Sequence, residues 1–159
     1  MKNSVAIIGS FKQFYDQVLT ASSVFHGMGI PVTSPAGSAI IKPGIPFVRF
    51  TSDDPDFSDE MVQTITLKRI LKASAIYVVN PDGYVGRTTC YEIGRILQSR
   101  KPIYFSETPG DLPIKIPESH ILDPKELAKL ILKDRICWPY ENVTCEIFFE
   151  ERKLVDPLV

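Results

Sequence analysis

Glu92 is the residue of this chain best placed to do covalent chemistry. It follows "VVNPDGYVGRTTCY", Val78 to Tyr91, where an apolar run breaks at Asn80-Pro81, crosses a glycine-bearing polar turn and enters a helical pattern. A carboxylate at such a helix entrance can attack the anomeric carbon of a sugar and form a glycosyl-enzyme intermediate, a reaction Asp and Glu support as nucleophiles. The same residue also has a structural reading. Thr89-Cys90-Tyr91-Glu92 has the spacing of a capping box, with Thr89 as N-cap and Glu92 returning to the N-cap amide. Acidic groups are also favoured near the positive end of a helix.

The residues around Glu92 fit a ligand equally well. A helix entrance exposes amide groups suited to phosphate or hydroxyl oxygens. Gly83 and Gly86 allow sharp turns and close approach of a ligand. Arg87 and Thr88 come next, the first as an anion contact or a solvated charge. Asp82 is either an acid for the reaction or a turn aspartate before glycine. Tyr91 either packs or faces a sugar. Gly94, two residues after Glu92, would let another backbone pass close to the helix.

Other clusters carry less. Asp53, Asp54 and Asp56 lack the order of positions of an EF-hand loop and read as a solvated acidic run. Three cysteines, Cys90, Cys137 and Cys145, have no metal-ligand spacing, and His26 and His120 stand apart, so no metal is expected. Cys90 near a helix start is a candidate low-pKa thiol, without a paired histidine in its sequence context. Reduced thiols point to a cytoplasmic protein.

These residues need a scaffold, and the chain alternates strand and helix patterns. Apolar β-branched runs predict buried strands at Ser4–Ser10, Ala75–Asn80 and Lys101–Ser106, with a shorter one in "IPVTSP". Helical spacing runs from Phe11 to the Gly27-Met28-Gly29 punctuation. A second helix runs from an N-cap at Ser58 to about Lys72, with Met61, Ile65, Lys68 and Leu71 on one face. A third covers Arg87–Ser99. A fourth starts at Asp123 with proline at its first position. The expected fold is α/β: a doubly wound, mainly parallel sheet of about five strands with helices on both faces. Ligands of such sheets sit beyond the carboxyl ends of the strands where strand order reverses, so "GSF" (Gly9, Ser10, Phe11) and "NPDGYVGRT" should face one crevice. The proline-broken segment Ser38–Phe57, with one short strand expected at Phe47–Phe50, reads as a cover over it.

At 159 residues the chain has room for one core-bearing domain. A net charge of −1 with no Lys/Arg block gives no basis for a nucleic-acid polymer as partner. No apolar run approaches the ~20 residues of a membrane span, and the first strand is too short for a signal-peptide core, so neither membrane nor secretion is expected.

"ASAIYVVNPDGYVGRTTCYEIGRILQSRKPIYF", Ala73 to Phe105, resembles the nucleoside 2-deoxyribosyltransferase superfamily, which includes nucleoside 5′-phosphate N-glycosidases. Those proteins share the apolar strand, the glycine-bearing turn, a glutamate followed by one residue and glycine, and a lysine-proline strand. "VAIIGSF" is similar to their first strand. The resemblance implies Glu92 as nucleophile, Gly9 and Ser10 at the sugar site, a nucleoside or nucleotide as substrate, and no metal or organic cofactor. Six residues before the nucleophile these proteins carry Asp or Ser, where this chain has Gly86. Asp82 would then supply the proton to the leaving base. A non-catalytic nucleotide-binding module of the same fold is the alternative that Gly86 favours.

Residues 1–136 read as this α/β domain and 137–159 as a C-terminal arm or edge strand, with strand-like alternation at Val143–Phe149. An arm exposing Trp138, Tyr140, Val143, Ile147, Phe148 and Phe149 would form an apolar patch, from which a homo-oligomer is expected.

Overall fold

The computed structural model describes residues 3–35, 53–142 and 146–155. Its sheet has four strands: β1 (Val5–Gly9), β2 (Val32–Ser34), β3 (Ala75–Val79) and β4 (Ile103–Phe105). They lie in the order β2-β1-β3-β4 and all pair in parallel. The α/β expectation holds, with one strand fewer than about five among the described residues. Past β4 the described residues add only an isolated bridge, Phe105 to Ile121. Pro109, Pro113 and Pro117 in that stretch lack the amide hydrogens a ladder requires.

β1, β3 and β4 are buried on both sides, as strands of a parallel sheet between helices must be, while the edge strand β2 is partly buried. Ala6, Ile8, Ile76, Val78, Ile103 and Phe105 face one core. Ile70 of α2 (Asp59–Lys72), with Ile93 and Ile96 of α3 (Arg87–Gln98), closes that side. Val5, Ile7, Tyr77, Val79 and Tyr104 face the other core, closed by α1 (Phe11–Gly27) and α4 (Pro124–Leu132) through Val18, Phe25, Leu127 and Ile131.

The caps explain where these helices start. Ser58 Oγ accepts from the Met61 amide at 3.3 Å. Asp123 and Glu126 form the reciprocal capping box ahead of α4, with the proline at the first turn where its missing amide costs nothing. Each such cap contributes about 1 kcal/mol.

Three expectations change. The buried face of α2 is Val62, Leu67 and Ile70, while Met61 of the expected face is half exposed. Apolar residues form two overlapping stripes on this helix, and packing against β1, β2 and α3 selects the other one. The strand alternation of the C-terminal segment is overridden from Glu146 on, where α5 (Glu146–Val155) forms. Arg152 and Lys153 in its last turn suit the negative end of the helix dipole, and Lys153 pairs with Glu150 at 2.9 Å. Third, Trp138 and Tyr140 are buried in the domain's own core, so the domain boundary expected at 136 is not a boundary of packing. Trp138 Nε1 donates to the Leu97 carbonyl at 3.1 Å, and its ring meets Tyr140 edge-on. Two of the aromatic residues that pointed to a subunit contact are thus covered by their own chain. The Phe47–Phe50 strand, Val143 and the proposed cover up to residue 52 lie outside the described residues. Among the described residues no helix is long and apolar enough to cross a membrane.

Candidate active site

β1 and β3 are neighbours although β2 and α2 lie between them in sequence, and the chain winds away from this pair in opposite directions. That is the reversal point where open α/β sheets bind ligands beyond their strand ends. The register is level: Gly9 pairs with Val79, so the loops that follow leave the sheet side by side.

The loop after β1 is short. Ser10 caps α1 through its carbonyl, which accepts the Gln13 and Phe14 amides, and its hydroxyl makes no capping bond. Phe11 is half-buried against the α1 core. α1 kinks at Phe14, whose ring meets Tyr84 edge-on at 6.0 Å. Ser10 Cβ lies 4.0 Å from where a Cβ on Gly86 would stand. The structure therefore brings "GSF" and the glycine-bearing turn to one place.

The turn after β3 is tied down on its other side by the loop after β4. Asn80, buried, donates through its side chain to the Glu107 carbonyl and accepts from Ser106 Oγ and the Glu107 amide. Asp82 has φ +57° and is exposed; its amide donates to Glu107 Oε2 at 3.0 Å. Gly83 has φ +74°, and a Cβ there would stand 2.7 Å from the Thr108 carbonyl oxygen, so glycine is required. The Val85 amide donates to Asp111 Oδ2 at 3.1 Å. Asp82 is thus anchored on the β4 side of the turn, while Tyr84 and Gly86 face the β1 side.

The capping box at Thr89 does not form. α3 begins one turn earlier: Gly86 is its N-cap, in extended backbone, and the Cys90 amide closes the first turn on the Gly86 carbonyl at 2.9 Å. An extended glycine serves as a cap, so the threonine is already inside the helix. Arg87 and Thr88 occupy the exposed first turn, and Tyr91 is 51% exposed. Gly94 also departs from expectation: among the described residues nothing, backbone included, comes within 4 Å of where its Cβ would stand.

Freed from the cap, Glu92 is buried, 6% exposed, on the side of α3 that faces α2. Gln63 Nε2 of α2 donates to Glu92 Oε1 at 2.9 Å. The other oxygen accepts nothing from the described residues, yet no unpartnered side-chain oxygen among them is sealed from solvent, so Oε2 keeps a path to the outside. Burial pushes the carboxyl pKa up to about 7, against a smaller lowering by the Gln63 bond. Helical Cα–Cβ bonds tilt toward the N-terminus, which carries this carboxylate back toward the carboxyl edge of the sheet.

Nothing in the sequence marks Gln63 as functional, because the stripe of Val62 and Ile70 that includes it becomes the buried face of α2 only through packing. Cys90 is no activated thiol: burial and nearby Asp111 push its pKa up. Cys137 has a histidine that sequence distance concealed, with His120 Nε2 at 3.8 Å from its sulfur. Burial raises that thiol and lowers the imidazole, so the pair is neutral. Among the described residues no group of His, Cys, Asp and Glu could hold a metal ion. A cavity of about 250 Å³ lies across the sheet from Glu92, lined by Gln17, Tyr77, Val79, Pro81, Ser106 and Glu107. The chain matches no family model, no curated protein and no solved structure.

Proposed function

We propose that the protein cleaves or transfers at the N-glycosidic bond of a nucleoside or nucleotide, with Glu92 as nucleophile. The supporting observation is the asymmetry of Glu92: a buried carboxylate with one oxygen held by Gln63 and the other unpartnered and open. Gln63 occupies Oε1, and Oε2 is the oxygen left for a substrate atom to meet. The resemblance of Ala73–Phe105 to the deoxyribosyltransferase superfamily supports the same residue.

In this reading Glu92 Oε2 attacks C1′ and the C1′–N bond breaks. Its electron pair leaves with the base, which gains a proton. Water or a second base then attacks C1′ and frees the carboxylate. Ser10, Phe11, Gly9 and Tyr91 border the sugar, and Gly86, Thr88 and Arg87 line the phosphate or hydroxyl end with the free amides of α3; Gly83, expected there from the sequence, is instead buried against the loop after β4. The leaving base takes its proton from solvent and the attacking water or base returns one to it, since Asp82, the acid expected from the sequence, is exposed and turned to the β4 side of the turn. No metal or organic cofactor takes part, and a cytoplasmic location accords with the free thiols Cys90 and Cys137.

The second reading is a nucleotide-binding module without chemistry. Gly86 favours it, because the position where the superfamily carries Asp or Ser is here a helix cap without a side chain. Incubation with a panel of nucleosides and their 5′-phosphates, with free base measured by chromatography, separates the two. Base release is the expected result; ligand binding without any base release would establish the module instead.

A further inference from the structure

We infer that Gln63 is a positioning residue that fixes Glu92 Oε1, so that Oε2 is the reacting atom, and that its amide governs when the carboxylate ionises. The inference rests on the reading of Glu92 as nucleophile.

The geometry is specific. Gln63 comes from α2 and Glu92 from α3, and the 2.9 Å bond is the one hydrogen bond the carboxylate accepts from the described residues. Gln63 is half-buried and Glu92 nearly fully so, which places the bond in a poorly solvated seam between two helices that pack on the same face of the sheet. A donor to a charged acceptor is worth roughly twice a neutral bond. With Oε1 engaged, rotation of the carboxylate about its terminal torsion is stopped, and Oε2 is held on the open side. Burial and the Gln63 bond are the two influences on this carboxyl, and no described charged side chain from the surrounding strands and helices contributes to it. Among the described residues Gln63 is thus the group whose hydrogen bond opposes desolvation of this carboxylate.

The test is an NMR titration of the full chain with ¹³C-labelled glutamate carboxyls and ¹⁵N-labelled glutamine side chains, Glu92→Gln identifying the Glu92 signal. In the wild type, the Gln63 amide resonances should follow the Glu92 titration, and lose that dependence in Glu92→Gln. In Gln63→Met, which keeps length and volume but donates nothing, the Glu92 midpoint should rise by about one pH unit. With an active substrate, kcat should fall roughly tenfold or more, with KM changed less than about twofold, and the acid limb of the pH profile should move up with the midpoint. Gln63 amide resonances that ignore the Glu92 titration would overturn the inference even if Gln63→Met fails to fold. So would an unmoved Glu92 midpoint in folded Gln63→Met. A coupled titration in a protein that releases no base upholds the Gln63–Glu92 device and rejects the glycosidic reading, so the two failures are distinguishable.

Discussion

A Cβ added to Gly9 would stand 2.5 Å from the Val79 carbonyl oxygen, because β1 and β3 pair in register at their carboxyl ends with Gly9 at φ +151°. The obstacle is backbone, which cannot swing aside. Gly9→Ala should therefore lower stability by about 2–4 kcal/mol through strain and strand displacement. Urea unfolding measures it, and a loss below about 1 kcal/mol would contradict the described contact.

Gly94 should behave in the opposite way. It lies inside α3, and no described residue comes within 4 Å of its missing Cβ. Alanine there removes backbone freedom from the unfolded chain and should stabilise by about 0.5–1 kcal/mol. A lower melting temperature in Gly94→Ala would show that the position needs glycine after all.

The contrast between these glycines shows what could be read in the sequence. The strands and four of the five helices announced themselves, because buried parallel strands are unbroken β-branched runs and their helices carry caps such as Ser58 and Asp123. That the loops after β1 and β3 leave the sheet side by side followed from strand order. What could not be read was decided between elements. Thr89 fits a cap locally, but Gly86 takes that place, and only then does Glu92 turn inward to α2. Gln63 looks like any polar helix residue until α3 is packed beside it. The segment around Glu146 alternates like a strand, yet its charged residues favour helix.

Two buried groups should make stability depend on pH in opposite directions. Glu92 titrates at about 7 in the folded protein against an ordinary 4.5, so the folded state holds its proton longer than the unfolded chain. Its contribution to stability is largest below 4.5 and falls as pH rises toward 7, by an amount on the order of 3 kcal/mol. His120, stacked on Tyr104, is held below its ordinary 6.5 by burial, so stability is lost as pH falls below 6.5. Relative to wild type, Glu92→Gln should gain stability as pH rises through the first window, and His120→Gln should lose less on acidification. Denaturant melts from pH 4.5 to 8 check both; parallel curves for all three proteins would contradict the burial of these groups.

The C-terminal segment should be part of the fold rather than an appendage. Trp138 is 4% exposed and its indole bonds the Leu97 carbonyl, with Arg100 5.4 Å from the ring centre. Trp138→Ala should cost about 3–5 kcal/mol, whereas Leu154→Ala, at a residue 72% exposed, should stay within about 0.5 kcal/mol. Equal melting temperatures for the two variants would place Trp138 outside the core.

The central claim is that Glu92 forms the bond to the sugar, and Glu92→Gln tests it most directly. The amide keeps the size of the side chain and an oxygen toward Gln63, so the variant should fold, but its carbonyl is a far weaker nucleophile than a carboxylate. Free base is measured by chromatography from wild type and from folded Glu92→Gln, each with whichever nucleoside or nucleotide the wild type cleaves. Release by the wild type and a loss of several orders of magnitude in the variant are expected. Release at the wild-type rate by folded Glu92→Gln would contradict it.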